Sequence, residues 1–327
     1  MLKCSEVRSI SKFGMVCFPN KLETCKKING VSSTSRRFIF RLCASFLLIL
    51  FCGAYQVFAE DPLQIGERFK DCGVCPEMIV IPGGEIVVKG VSAVAEEGVQ
   101  ILSLPDRFAI SIYEITNADW ENCEFLEGCK RPDSNQESAD KDFGWREWKS
   151  TRPVVNITWA ESVMYTIWLS SVAGENYWLP TELEWEYAAR GGLVEEIPWS
   201  GLNENSCEFA NLSLHEGCSD RYRGSAPVGS YNANGYGLYD MIGNVSEWTA
   251  SCSGNVLGST VDLHRHRVGD SFKLSEYGKE VPNCGAMVNR GGNWSSQVES
   301  FEYTARSALP RGANSETVGF RVVRSVK

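Results

Sequence analysis

The chain has 327 residues, of which 43% are hydrophobic, 11% aromatic and 22% charged. That balance is globular and excludes a disordered, collagen-like or multi-span membrane chain, and the length suits one large domain or two small ones. The formal charge of −9 is unevenly spread, with +7 on residues 1–59 and −16 on the remainder; a body that acidic repels phosphate backbones and anionic lipid surfaces, so no nucleic-acid partner is expected.

The first element is a leader. Arg36, Arg37 and Arg41 precede the apolar run Leu42–Ala54, and Val57-Phe58-Ala59 leads to Glu60-Asp61-Pro62. A basic region, a short apolar core and a small residue at the break read as a secretory signal over 1–59, too short for a comfortable span. An uncleaved anchor is the alternative; lipidation at Cys52 is not expected, because bulky Phe51 precedes it. The chain after cleavage is expected to have no stable membrane span and to be exported, periplasmic or secreted. Of its 13 cysteines, Cys72, Cys75, Cys123, Cys129, Cys207, Cys218, Cys252 and Cys284 lie after the leader. An even count in an exported chain suggests disulfides, with sequence-near pairing (72/75, 123/129, 207/218, 252/284) preferred. Cys72-Gly-Val-Cys75 could instead be a redox or zinc pair, but no second ligand cluster or thioredoxin-like pattern accompanies it.

Residues 60–76 read as a polar lead-in and 77–327 as the domain. Met78–Pro82 is a short apolar strand turned by Gly83-Gly84, and Phe108–Ile115 a second strand. Thr116, Thr158 and Thr181 each start a helix with an acid three residues on, the capping-box arrangement. After Thr158, the residues Val163, Met164, Ile167, Trp168 and Val172 recur at helical spacing and predict an amphipathic helix ending before Gly174. A shorter helix over Leu183–Arg190 is stopped by Gly191-Gly192. Beyond it almost no helical period is found. A long irregular segment needs external staples such as disulfides or metals.

Several motifs then occur in a fixed order. They are Trp178-Leu-Pro-Thr-Glu-Leu-Glu-Trp-Glu-Tyr-Ala-Ala-Arg-Gly-Gly192, Ala226-Pro-Val-Gly-Ser230, Gly235-Tyr-Gly-Leu-Tyr-Asp-Met-Ile-Gly-Asn-Val-Ser-Glu-Trp248, Arg290-Gly-Gly-Asn-Trp294 and Gly319-Phe-Arg-Val-Val323. On these residues the chain resembles the sulfatase-modifying-factor, or formylglycine-generating-enzyme, family over nearly the whole segment after the leader. The resemblance implies an α+β, C-type-lectin-like fold with short helices, small twisted sheets and much irregular chain.

It also implies two structural calcium ions. The first would take Asn211, the Leu212 carbonyl, Asp220 and the Tyr222 carbonyl. The second would take Asp240, the Gly243 and Val245 carbonyls, and Glu247. Carboxylates mixed with carbonyls form the hard oxygen set that calcium prefers; the plainer reading is a set of turn-forming polar residues.

The departure lies in the stretch where the family's oxidases carry two copper-binding cysteines. Here Gly291–Arg306 contains no cysteine; Ser296 stands where the first would be and Phe301 near the second. A serine hydroxyl is too hard and too basic to replace a thiolate for copper(I), so copper is not expected, and Cys284 reads as a disulfide partner. Three functional readings follow. The first is a binding or accessory module presenting Asn293, Trp294, Ser296, Glu299, Phe301, Glu302, Tyr303 and Arg306 to a protein, peptide or small-molecule ligand. The bland counterpart places Trp294 and Phe301 in the core and pairs Arg306 with a structural acid. The second is a cysteine-free oxidoreductase of the siderophore (pyoverdine) maturation type, with Glu299 or Glu302 as the candidate catalytic base. The third is a formylglycine generator with displaced cysteines. His264 and His266 read as part of a solvated loop, and the Asn-x-Ser/Thr sequons at Asn156, Asn211, Asn244 and Asn293 as chance.

Overall fold

The computed structural model describes residues 62–89, 99–104, 106–130, 150–193, 209–213, 222, 224–254, 284–296 and 306–326. The segment 1–59 read as a leader, the expected Cys207/Cys218 pairing, and His264 and His266 lie outside them.

The chain's two ends meet in one sheet. Strands β1 (Arg68–Phe69), β2 (Met78–Ile81), β5 (Phe108–Ser111), β11 (Val323–Ser325) and β6 (Tyr177–Trp178) lie in the order β1-β2-β5-β11-β6, every pair antiparallel. β2 and β5 are buried along their whole length, which is why they read as apolar runs without alternation. The strand expected over Phe108–Ile115 ends at Ser111. Beyond it, Ile112 and Ile115 remain buried while their amides bond to Glu77 and Phe320 carbonyls outside the ladder. β1 lies within the segment read as lead-in.

A second sheet runs β10-β7-β8-β9, built from β7 (Ser246–Cys252), β8 (Ala286–Arg290), β9 (Arg306–Pro310) and β10 (Val318–Gly319); only β10–β7 is parallel. β3 (Gly84–Lys89) and β4 (Val99–Leu104) form a separate antiparallel pair.

The three expected helices are present: α1 (Asn117–Phe125), α2 (Trp159–Ala173) and α3 (Glu182–Arg190). In each, the threonine hydroxyl caps the third amide while the acid at that position returns to the threonine amide, so two otherwise orphaned donors are satisfied. Gly174 and Gly191 close α2 and α3 in the left-handed conformation. The buried face of α2 is rotated from the expected stripe. Val172 is 39% exposed, whereas Ser162 and Thr166 are buried. Their hydroxyls bond the carbonyls of Trp159 and Val163 at 2.7 and 2.8 Å, and a locally satisfied hydroxyl packs much as an apolar group does.

Three of the expected disulfides are formed: Cys72–Cys75, Cys123–Cys129 and Cys252–Cys284. Two apolar clusters make the core. One joins α1, α2 and the second sheet around Trp159, Tyr165, Trp248 and Phe320; the other joins α3, β2, β3 and β5 around Trp185 and Ile110. Among the described residues no helix is long and apolar enough to cross a membrane.

Candidate functional site

The described part of the expected ligand face is the turn Asn293–Ser296 after β8 and Arg306 at the start of β9, and the expected metal ligands lie before β7 and, at Glu247, within it. Asn244 links the two. Its side chain donates to Glu114 at 2.7 Å, accepts from the Ala226 amide at 2.7 Å and accepts from the Asn211 amide group at 3.3 Å. Its backbone amide donates to the Asn211 carbonyl at 2.8 Å, and its carbonyl accepts from the Trp294 amide at 2.9 Å. Asn244 is wholly buried and Asn211 is 1% exposed, so neither sequon is open to a glycan in the folded chain.

The geometry requires glycine at position 243. Residues 211 and 243 form a parallel bridge, and a Cβ on Gly243 would lie 2.2 Å from the Asn211 carbonyl oxygen. The two proposed ligand sets are thereby adjacent, joined through Asn211, Gly243 and Asn244. Asp220 lies outside the described residues, Leu212 is buried, and Tyr222 is half-buried beneath the Arg152 guanidinium.

Beside them is a buried charge cluster. The Arg321 Nε and Nη2 atoms grip the two Glu247 oxygens at 2.7 and 2.8 Å. Its remaining donors reach the Ser111 and Tyr239 carbonyls, each at 2.9 Å. The Trp185 indole donates to the same Glu247 carboxylate at 2.6 Å. Asp240 accepts from the Gly229 amide at 2.6 Å, and burial pushes its carboxyl up to about 6 against the pull of that bond and of Arg321. Glu114 is held well above the carboxylate range, first by burial and then by Asp240 and Glu247. One guanidinium thus faces three buried acids, more carboxyl groups than it can hold ionised, and a bound cation would favour the charged form of the others.

The fit to calcium differs between the sets. In the first, Asn211 Oδ1 is buried without a hydrogen-bond partner among the described residues, an acceptor open to a hard cation. In the second, three donors occupy Glu247, leaving it one lone-pair direction, while Asp240 Oδ2 is engaged by Gly229.

At the ligand face the turn holds itself. The Asn293 amide donates to Ser296 Oγ at 3.0 Å, its Oδ1 accepts from the Ser295 amide and hydroxyl at 2.9 and 2.6 Å, and the Ser296 amide returns to the Asn293 carbonyl at 2.8 Å. Asn293 and Ser296 are therefore structural to the turn, and Trp294 is half-buried beside them. Glu299, Phe301, Glu302 and Tyr303 lie outside the described residues. Arg306, its side chain 34% exposed, donates Nε to Glu182 at 2.7 Å. Glu182 also faces Arg290 at 3.4 Å, Arg290 grips Glu186, and Glu186 holds Arg190 at 2.6 Å. A buried chain of alternating charges thus runs from the face through α3.

Sequence reading missed Glu114, Arg321 and this chain. A single charge inside an apolar run, as at Glu114 in 108–115 and Arg321 in 318–323, was the available signal, because such a charge demands a buried partner.

Residues 66–326 match the sulfatase-modifying factor enzyme 1-like domain family. The formylglycine-generating enzyme of Bos taurus is 41% identical over 179 residues, 52% of this chain and 43% of that protein. That of Mus musculus is 33% identical over 184 residues, 53% and 44% respectively. The inactive C-alpha-formylglycine-generating enzyme 2 of Bos taurus is 38% identical over 121 residues, 36% and 38%. The aligned regions thus span about half or less of these relatives' lengths. Among solved structures, PvdO from Pseudomonas aeruginosa superposes with a TM-score of 0.62 at 27% identity, covering 82% of this chain and all of that one. Treponema denticola variable protein 1 superposes at 0.57 with 19% identity, over 79% and 98%, a likeness of fold alone.

Proposed function

The chain belongs to the sulfatase-modifying-factor family, and from that premise we propose that it is an exported ligand- or protein-binding member without copper-dependent formylglycine-generating activity. The observation that carries this reading is the fate of sulfur near the face. Gly291–Arg306 holds no cysteine, and Cys284, which precedes that stretch, is tied to Cys252. Ser296 stands where the family's first cysteine would, and its hydroxyl serves the Asn293 amide. Copper(I) prefers soft thiolates, and neither a disulfide nor an engaged hydroxyl supplies one. The similarity to a relative named as inactive is in keeping with this. The test is direct: incubated with copper and a sulfatase-motif peptide, the protein leaves the peptide's cysteine unconverted; an aldehyde at that position overturns the proposal.

The lectin-like arrangement belongs to the same proposal, supported by short helices, small sheets and the irregular stretch 224–245 before β7. So do the two calcium ions, with Asn211, Leu212, Asp220 and Tyr222 holding the first and Asp240, Gly243, Val245 and Glu247 the second. Bound calcium would supply charge neutralisation and cross-linking of loops. The open Asn211 Oδ1 favours the first set; the acid excess around Arg321 favours the second. Export is supported by disulfides, which persist in oxidising compartments.

A second reading, a cysteine-free oxidoreductase of the siderophore-maturation type, draws on the likeness to PvdO over that protein's whole length. Glu299 or Glu302 would be its base. Glu299→Gln and Glu302→Gln variants that retain full activity on any substrate found would remove both from that role.

A further inference from the structure

A cavity of about 190 Å3, lined by no residue of the Asn293–Ser296 turn, lies between β3 and the end of α3, with Glu85, Val87, Tyr187, Arg190, Leu193 and Tyr236 among its walls. β3 approaches α3 closely because residue 84 is glycine: a Cβ there would lie 2.6 Å from the Tyr187 hydroxyl oxygen.

The inner end of its polar wall carries the Arg190 guanidinium and the Tyr187 and Tyr236 hydroxyls, with the Glu85 carboxylate at the rim. Arg190 has a side chain only 8% exposed; its Nη2 is bonded to Glu186 at 2.6 Å, and its Nε is buried with no partner among the described residues. The carboxylate of Glu186 is shared with Arg290. The Tyr236 hydroxyl donates to the Tyr187 hydroxyl at 3.1 Å, and no described residue takes the Tyr187 hydrogen. The outer rim is apolar: Val87 is 43% and Leu193 45% exposed, and Ile101, paired with Val87 across the hairpin, is 65% exposed. Glu85 stands exposed at the rim and forms no ion pair with Arg190.

We propose that this cavity binds a small aromatic monocarboxylate. Arg190 and the Tyr187 hydroxyl receive the carboxylate, and the ring lies against Tyr236 and Leu193. A guanidinium N–H beside a phenol suits a planar two-oxygen anion. A phosphate dianion would bring a second negative charge towards Glu85, and a cation would meet the positive Arg190 guanidinium at the inner end. The volume admits one ring and a short acid, well below the several hundred Å3 of a cavity for larger ligands. Two sources share this chemistry: a free aryl acid, and the C-terminal phenylalanine or tyrosine of a polypeptide lying along the edge of β3.

The test is an NMR titration of the intact chain with hydrocinnamate, its neutral isostere hydrocinnamamide, and acetyl-Gly-Phe with a free C-terminus. The acid binds at least about ten-fold tighter than the amide, since charge-assisted bonds to the guanidinium are lost in the latter. Saturable shifts fall on Leu193 and on the Tyr187 and Tyr236 rings. Leu193→Glu, an exposed substitution that leaves Tm unchanged, weakens the acid by about ten-fold or more. If the peptide binds more tightly than the free acid and shifts the amides of residues 85–87, the ligand is a polypeptide terminus; the reverse order identifies a free acid. Equal affinity for acid and amide, no saturable shift at Leu193 up to about 10 mM probe, or an unweakened Leu193→Glu variant overturns the proposal.

Discussion

Arg321 and Glu247 form a two-point ion pair in which the arginine side chain has no solvent exposure and the glutamate 1%. The pair ties β7 to the segment leading into β11, and through Trp185 it also anchors α3. Removing one partner leaves the other buried without its two-point ion pair, which costs about 3–5 kcal/mol. Glu247→Gln and Arg321→Met are each expected to lower unfolding free energy by that amount in urea titration. The double variant recovers only part of it, because the Trp185 indole and the Ser111 and Tyr239 carbonyls lose their partners too.

Asn244 adopts a φ of 55° and holds Glu114, Ala226 and Asn211 with one amide group. Asn244→Ala loses all three contacts and keeps a Cβ in a left-handed conformation, at a cost of about 3 kcal/mol. Asn244→Gly loses the same contacts without that backbone penalty and should be milder by about 1 kcal/mol. Chemical denaturation of the two variants side by side checks the order.

Calcium removal is expected to loosen the loops around Asn211 and Asp240. At a hundred-fold excess over its dissociation constant, one ion stabilises the folded chain by about 2.7 kcal/mol. Chelation should lower Tm, and calcium should restore it better than magnesium, which demands stricter octahedral geometry. Asn211→Ala should reduce the calcium-dependent part of Tm. A Tm indifferent to chelator contradicts both sites.

The Cys252–Cys284 bridge closes a loop of 32 residues, against 6 for Cys123–Cys129. In the loop-entropy account these are worth about 4 and about 2 kcal/mol respectively. Serine substitution of the Cys252–Cys284 pair should therefore cost more than substitution of the Cys123–Cys129 pair, measured as unfolding free energies.

Local features were the readable ones. Thr116, Thr158 and Thr181 each announced a helix through an acid three residues away, and Gly174 and Gly191 marked where two of them stop. Three cysteine pairs agree with the preferred pairing of cysteines consecutive in sequence. What escaped depends on distant partners. The β3–β4 pair joins Gly84–Lys89 to Val99–Leu104 with no tight-turn dipeptide between them. β7 alternates polar Glu247, Thr249 and Ser251 with apolar Trp248, Ala250 and Cys252 but is buried on both faces throughout its length. Ser162 and Thr166 read as polar although each satisfies itself within α2. Arg321 finds its carboxylate 74 residues upstream, a pairing no local spacing encodes. At the candidate face, the missing cysteines were visible directly, whereas the self-bonded turn of Asn293 and Ser296 emerged only from its geometry.

The most direct examination of the copper-free account is a Cu(I) titration of the purified chain, read by X-ray absorption at the metal. The account predicts no stoichiometric copper and no copper–sulfur scattering from a paired-thiolate site. One equivalent of Cu(I) bound through two sulfurs beside the Asn293–Ser296 turn would contradict it.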